Sequence, residues 1–148
     1  MVSKSTSVLA ASTIVWVVAL AVSVDVARGS GVQKTSNDGV YTKAQADGAK
    51  AQFDKICAEC HPFTVAEKKK IKDIPLGDEP FFENWEGRAL SEIVTTVVLT
   101  MPNDGSAVVS DEEALDLVAY ILQKNGFPAG SSPLTTTTAS AVVARPKK

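Results

Sequence analysis

The sequence predicts an all-α domain, on three observations. Thr42-Lys43-Ala44-Gln45 and Ser110-Asp111-Glu112-Glu113 each have the form of a capping box that opens a helix. Apolar residues recur behind each at three- and four-residue spacing. Between them stands Cys57-Ala58-Glu59-Cys60-His61, a C-x-x-C-H pattern with no βαβ unit around it. The chain has 148 residues, 45% of them hydrophobic and 22% charged, which suits one small domain with appendages. A net charge of −2 gives no basic footprint for nucleic acid.

Taken in order, the chain opens with Lys4 and an apolar run from about Val8 to Val24. A basic start, a short apolar stretch and small residues after it form a signal peptide, expected over 1–27. Ala21-Val22-Ser23 offers a cleavage site, and cleavage after Ala27 is the alternative. If uncleaved, the run is marginal for a membrane span. Residues 28–40 are rich in Gly, Ser and Asn and read as a flexible linker. The first helix then runs from Thr42, with Ala46, Ala49, Phe53 and Ile56 on one face. Gly48 weakens it but permits close packing of another helix.

Residues 62–77 read as loop, with Lys68, Lys69, Lys70 and Lys72 forming either a solvated run or a patch that steers an acidic partner. Phe81-Phe82-Glu83-Asn84-Trp85 gathers aromatic residues for packing. Leu90 to Thr100 reads as a helix with Leu90, Ile93, Val94, Val97 and Val98 inward, although its β-branched content also suits a strand. Pro102 ends it and pushes Met101 out of helical geometry. The last helix carries Ala114, Leu117, Val118, Ile121 and Leu122 and stops at Asn125-Gly126. The Ser-, Thr- and Pro-rich segment 131–148 reads as a disordered tail.

The chemistry lies in the C-x-x-C-H stretch. Two cysteines on one turn present two sulfurs on one side, and an adjacent imidazole can turn to a metal. This is the pattern of c-type haem attachment, giving one haem c bound through Cys57 and Cys60. A dithiol redox motif normally follows a strand, and structural zinc needs about four ligands where only these three exist. The inventory is tight: two cysteines, one histidine and two methionines in the whole chain. Met1 belongs to the leader, so Met101 is the expected second axial ligand beside His61. An open iron, or a lysine ligand, is the alternative. A carbonyl at Pro75 is the expected acceptor for the free imidazole N–H of His61. Trp85 is expected to pack on the haem and give its N–H to a propionate.

On these residues the chain resembles class I cytochromes c over roughly 41–130. The resemblance is carried by Cys57-Ala58-Glu59-Cys60-His61, by Thr100-Met101-Pro102 and by the helix Leu117-Val118-Ala119-Tyr120-Ile121-Leu122. It implies a cytochrome c-like fold of three to four helices wrapped around one covalently bound haem, with the first and last helices crossing beside it. Phe53 matches the family's aromatic residue there, and Leu117 and Tyr120 match its partners. Ala49 stands where the family has glycine, with Gly48 one place earlier. Pro75 and Leu76 look like the family's proline for the histidine hydrogen bond and its leucine for haem packing.

A narrower resemblance rests on Asn84-Trp85-Glu86-Gly87, Thr100-Met101-Pro102, Tyr120-Ile121-Leu122 and Asn125-Gly126-Phe127-Pro128-Ala129-Gly130. It is to single-haem cytochromes associated with quinoprotein (PQQ-dependent) alcohol or sugar dehydrogenases. Ala89 stands where a serine or threonine cap is expected before Leu90.

The expected function is a periplasmic one-electron carrier, not an enzyme, and monomeric. Its redox partners are expected to be a PQQ-dependent dehydrogenase and a terminal oxidase or another cytochrome. Membrane association is expected only if the leader stays attached. The alternatives are a haem-based ligand-binding or sensor module, or a haem subunit of a larger redox enzyme complex. A peroxidase needs distal catalytic groups, and no second histidine exists to supply one.

Overall fold

The computed structural model describes residues 32–147. The expected signal peptide and the first residues of the expected linker lie outside these. Four helices carry the fold: α1 (Lys43–Ile56), α2 (Asp78–Trp85), α3 (Leu90–Thr100) and α4 (Asp111–Lys124). Among the described residues there is no β-strand, only two isolated bridges, so the expected all-α architecture holds. None of these helices is long and apolar enough to cross a membrane.

The centre of the molecule is α4. Ser110 and Glu113 close both halves of the capping box, at 3.3 and 2.8 Å. Asp111, Glu112 and Glu113 place negative charge at the positive end of the helix dipole. Leu115, Leu117, Val118, Ile121 and Leu122 are all buried. Each such side chain contributes roughly 1.5–3 kcal/mol when removed from water. The helix stops at Asn125, followed by Gly126 in the left-handed conformation at φ +78°.

Helix α1 lies along α4 with Ala46, Ala49 and Phe53 buried, the face expected from spacing. Ala46 and Ala49 are both buried, whereas Gly48 is exposed with no atom near the position of a Cβ. The expectation that Gly48 permits close packing of another helix is therefore corrected: it lies off the buried face. Polar clips flank the seam: Gln52 Nε2 donates to Glu113 at 2.9 Å and Gln123 Nε2 to Asp47 at 2.8 Å. Thr42 caps α1 by accepting the Gln45 N–H at 3.2 Å. Gln45 does not return the bond. Its amide reaches Asp116 at 2.9 Å and brackets Leu134, donating to its carbonyl at 3.0 Å and accepting its N–H at 2.7 Å.

Helix α3 forms despite its β-branched run, because Leu90, Ile93 and Val94 gain burial on one face. Thr95, Thr96 and Thr100 direct their hydroxyls to carbonyls one turn back, at 2.6–2.8 Å. They therefore do not compete for the helical N–H groups. Helix α2 occupies the stretch read only as aromatic packing. Asp78-Glu79 suits a helix start, and Pro80 in the first turn removes no bond the helix needs.

The expected disordered tail is corrected. Residues 131–147 pack onto the domain, with Leu134, Ala139, Ala141 and Val143 buried. Val142 donates to the Lys34 carbonyl and accepts from Ser36 N–H, both at 2.9 Å. Val143 accepts from Gly87 N–H at 2.9 Å and donates to the Arg88 carbonyl at 2.8 Å. The Ala141 carbonyl accepts the Leu90 N–H at 2.9 Å and so caps α3, where Ala89 has no side chain to do it. The threonine run forms its own turn: Thr135 N–H donates to Thr138 Oγ1 at 2.8 Å. Composition suggested disorder because it ignores these pairings.

The expected linker is corrected likewise from Val32 onward. Ser36 is fully buried, and its Oγ accepts the Ala144 N–H at 3.0 Å. Residues 32–147 fall in one unit, wider at both ends than the expected 41–130.

Two glycines separate opposite outcomes. Gly48→Ala should raise stability by about 0.5–1 kcal/mol, since it adds helix propensity and meets nothing. A Cβ on Gly130 would lie 1.9 Å from the Gly39 carbonyl oxygen, so Gly130→Ala should lower stability by roughly 2 kcal/mol or more. Denaturant unfolding of the two variants beside the parent checks both signs.

Candidate functional site

The C-x-x-C-H stretch winds directly off the end of α1. Cys57 N–H donates to the Phe53 carbonyl at 2.9 Å, and Cys60 N–H and His61 N–H both donate to the Cys57 carbonyl, at 3.1 and 3.0 Å. This turn brings Cys57, Cys60 and His61 to the wall of one cavity of about 680 Å³. Met101 lines the same cavity from the far end of α3. Its backbone there is extended, at φ −118° and ψ 145°, as expected ahead of Pro102.

His61 has a defined orientation. Its Nδ1 lies 3.0 Å from the Ile74 carbonyl oxygen. A carbonyl only accepts, so Nδ1 carries the hydrogen and Nε2 keeps its lone pair. The expected acceptor was Pro75, and this is corrected to the carbonyl one residue earlier. Pro75 itself is buried and is not among the residues lining the cavity.

The loop presenting Ile74 is laced to the motif. Ile74 N–H donates to the Cys60 carbonyl at 3.0 Å, and Leu76 N–H to the Pro62 carbonyl at 2.8 Å. Asn125, at the end of α4, donates its amide to the Leu76 carbonyl at 2.7 Å and to Ile121 at 2.8 Å. In the sequence Asn125 reads only as a helix stop. Asp73 is buried just before Ile74, and its Oδ2 accepts the Lys69 and Lys70 N–H groups at 2.8 Å each. Those backbone donors, Lys70 first, hold its carboxyl below the usual range.

The remaining walls are largely apolar, with Phe53, Ile56, Phe81, Ile93, Leu117 and Ile121 among them. Burial pushes the Cys57 thiol up to about 11, as an apolar surrounding should. Phe53 stacks on Phe63 at 5.0 Å and meets Tyr120 at 5.2 Å behind this wall. Leu76 and Trp85 line the cavity too. Arg88, which sequence reading passed over, lines it as well and lies 4.7 Å over the Trp85 ring. Its spacing from Glu92, which it pairs at 2.7 Å, was the available signal.

These residues fit a haem. Two free thiols, an oriented imidazole nitrogen and a thioether face one mostly apolar cavity. Its volume lies in the range of sites that bury small organic cofactors. Among the described residues no three His, Cys, Asp or Glu side chains gather into a site for a bare ion.

The family described as cytochrome c oxidase, cbb3-type, subunit III matches residues 44–121, more than half of the chain. The chain belongs to this family. No curated protein and no solved structure matches it. As a c-type cytochrome domain it is a haem-based electron carrier, haem c is the cofactor its family implies, and redox proteins are its partners. The matched span of this cytochrome contains Cys57, Cys60, His61 and Met101 and ends within α4. The packed tail lies beyond it.

Asp73 gives the site an acid dependence. Its carboxyl is depressed in the folded cytochrome, so its contribution is complete above the unfolded value of about 3.9 and is lost as pH falls through the folded value. Asp73→Asn should be less stable at neutral pH. Its stability should fall less steeply below about pH 4, narrowing the gap to the parent. Denaturant midpoints across pH 3–7 check this; parallel curves would contradict it.

Proposed function

We propose that the protein is an exported, periplasmic electron-transfer cytochrome with one haem, bonded through Cys57 and Cys60 and ligated by His61 Nε2 and Met101. The observation that carries this reading is the convergence of all four side chains on one cavity, with His61 Nδ1 already committed to Ile74. When bound, the haem supplies a one-electron Fe(III)/Fe(II) couple. The Ile74 carbonyl fixes the imidazole and raises its basicity. Phe81, Ile93, Leu117 and Ile121 exclude water, which disfavours the extra charge of the ferric state. Trp85 would bring its indole N–H to this wall for a propionate, and Arg88 stands there beside it with its guanidinium paired to Glu92.

His61 and Met101 would together hold the iron of a bound haem, which suits carriage of an electron rather than conversion of a substrate. Lys68, Lys69, Lys70 and Lys72 concentrate positive charge on one loop of a chain whose net charge is −2. Lys72 borders the cavity, and of the four only Lys70 holds an ion pair among the described residues, to Glu59 at 2.9 Å. This supports an acidic donor surface, in keeping with a PQQ-dependent dehydrogenase as donor and a terminal oxidase or another cytochrome as acceptor. The second reading, a haem subunit of a larger redox complex, is favoured by the oxidase named in the family's description. Release of the expected signal peptide, residues 1–27, would leave a free carrier.

Met101→Ala is the direct test. The variant should keep its haem through acidified-acetone extraction, lose the sulfur-to-iron charge-transfer band and fall in reduction potential. It should also bind carbon monoxide in the ferrous state, which the parent should resist. A variant that keeps both the band and the potential would remove Met101 from the iron.

A further inference from the structure

The helix α2 has two working faces. Phe81, Trp85 and, one turn further along the chain, Arg88 line the cavity. Glu79, Phe82 and Glu86 lie on the opposite side, and all three are gathered by one residue of the C-terminal strap. The Arg145 guanidinium donates Nη1 to Glu79 Oε2 at 3.0 Å and Nη2 to Glu79 Oε1 at 2.7 Å. Its Nε donates to Glu86 Oε2 at 3.0 Å. Its central carbon stands 5.0 Å from the Phe82 ring centroid. A single side chain thus spans α2 from its first turn to its C-cap.

An eight-residue helix has almost no stability of its own, so its position comes from tertiary contacts. Exposed ion pairs usually contribute little, but a bidentate fork joined to a second carboxylate and an aromatic face is the exception. Glu86 also needs a cation, because it sits at the negative end of the helix dipole. The strap does not need Arg145 to stay in place. Val142 and Val143 already pair with both neighbouring segments, and Arg145 reaches onward from there. The hydrogen bonds from Arg145, with its charge behind them, hold the Glu79 carboxyl below its ordinary range.

We infer that Arg145 is a positioning residue for the haem site, holding α2 so that Trp85 and Arg88 stand against the cavity and set the potential of the bound haem. This rests on the haem reading given above. It assigns a redox role to a strap lying outside the residues the family matches.

The test uses the holoprotein and the variants Arg145→Lys, Arg145→Gln and Glu79→Gln. Lysine keeps the charge but cannot span both carboxylates, so it separates positioning from plain charge. All three variants should hold the haem in a more open pocket and lower the midpoint. The expected shift is about threefold toward ferric at fixed potential, about 30 mV at 59 mV per tenfold for one electron. Hydrogen exchange should show lost protection across residues 78–88 in Arg145→Lys. A lysine variant at the parent's potential overturns the inference, whether or not the glutamine variant moves. Unchanged exchange over 78–88 overturns it too, even where a variant loads haem poorly. A parent protein without covalent haem overturns the functional reading and this inference together, whereas a haem-loaded parent with an unmoved lysine variant overturns this inference alone.

Discussion

The hydrogen bond from His61 to the Ile74 carbonyl is the contact on which the site depends. The chain has one histidine, so nothing else can supply an imidazole. A free imidazole exchanges tautomers and rotates; this one is fixed in both respects, and its remaining nitrogen is the one that can meet a metal. The fixing is not local. It passes from α4 through Asn125 to the Leu76 carbonyl, and from that loop to Ile74. The most deeply packed helix thereby orients the most chemically important ring.

This also explains what Pro75 does without donating its own oxygen. The Ile74 carbonyl belongs to the peptide joining Ile74 to Pro75. The proline ring holds the residue before it in extended backbone, away from the helical region that would turn this carbonyl elsewhere. Asp73 works from the other side. It gathers the Lys69 and Lys70 N–H groups with one oxygen and leaves its buried Oδ1 without a hydrogen-bond partner among the described residues. The lysine-rich loop thus ends in a defined turn, and its charges project from a fixed base.

What could be read from the sequence follows from how far each determinant reaches. Ser110 and Glu113 lie three residues apart, and α4 was legible from them. The C-x-x-C-H motif was legible because its parts are adjacent, and Met101 as a candidate ligand because the only other methionine is Met1. Helix α2 was missed because a run of aromatic residues conceals an acidic, proline-containing first turn. Gly48 was misassigned because its missing side chain reads as room for a neighbour, although the spacing of Ala46, Ala49 and Phe53 already leaves it off the buried face. The tail was missed because its order depends on residues 34–36 and 87–90, to which it carries no local signal. Threonine and serine runs look unstructured until a backbone partner is supplied.

The same tail changes how the cavity is understood. Helix α3 begins beneath the Ala141 carbonyl and ends at Met101. Helix α2 is gripped by Arg145. The walls that carry Met101, Trp85 and Arg88 are therefore referenced to the strap, while the wall that carries His61 is referenced to α4. A domain of this size has limited apolar surface to bury, and Leu134, Ala139, Ala141 and Val143 extend its core. The extension is placed where it fixes the start of one helix and the outer face of another. A strap that only added burial needs neither contact, so cap and clamp together indicate that it serves the geometry of the site as well as stability.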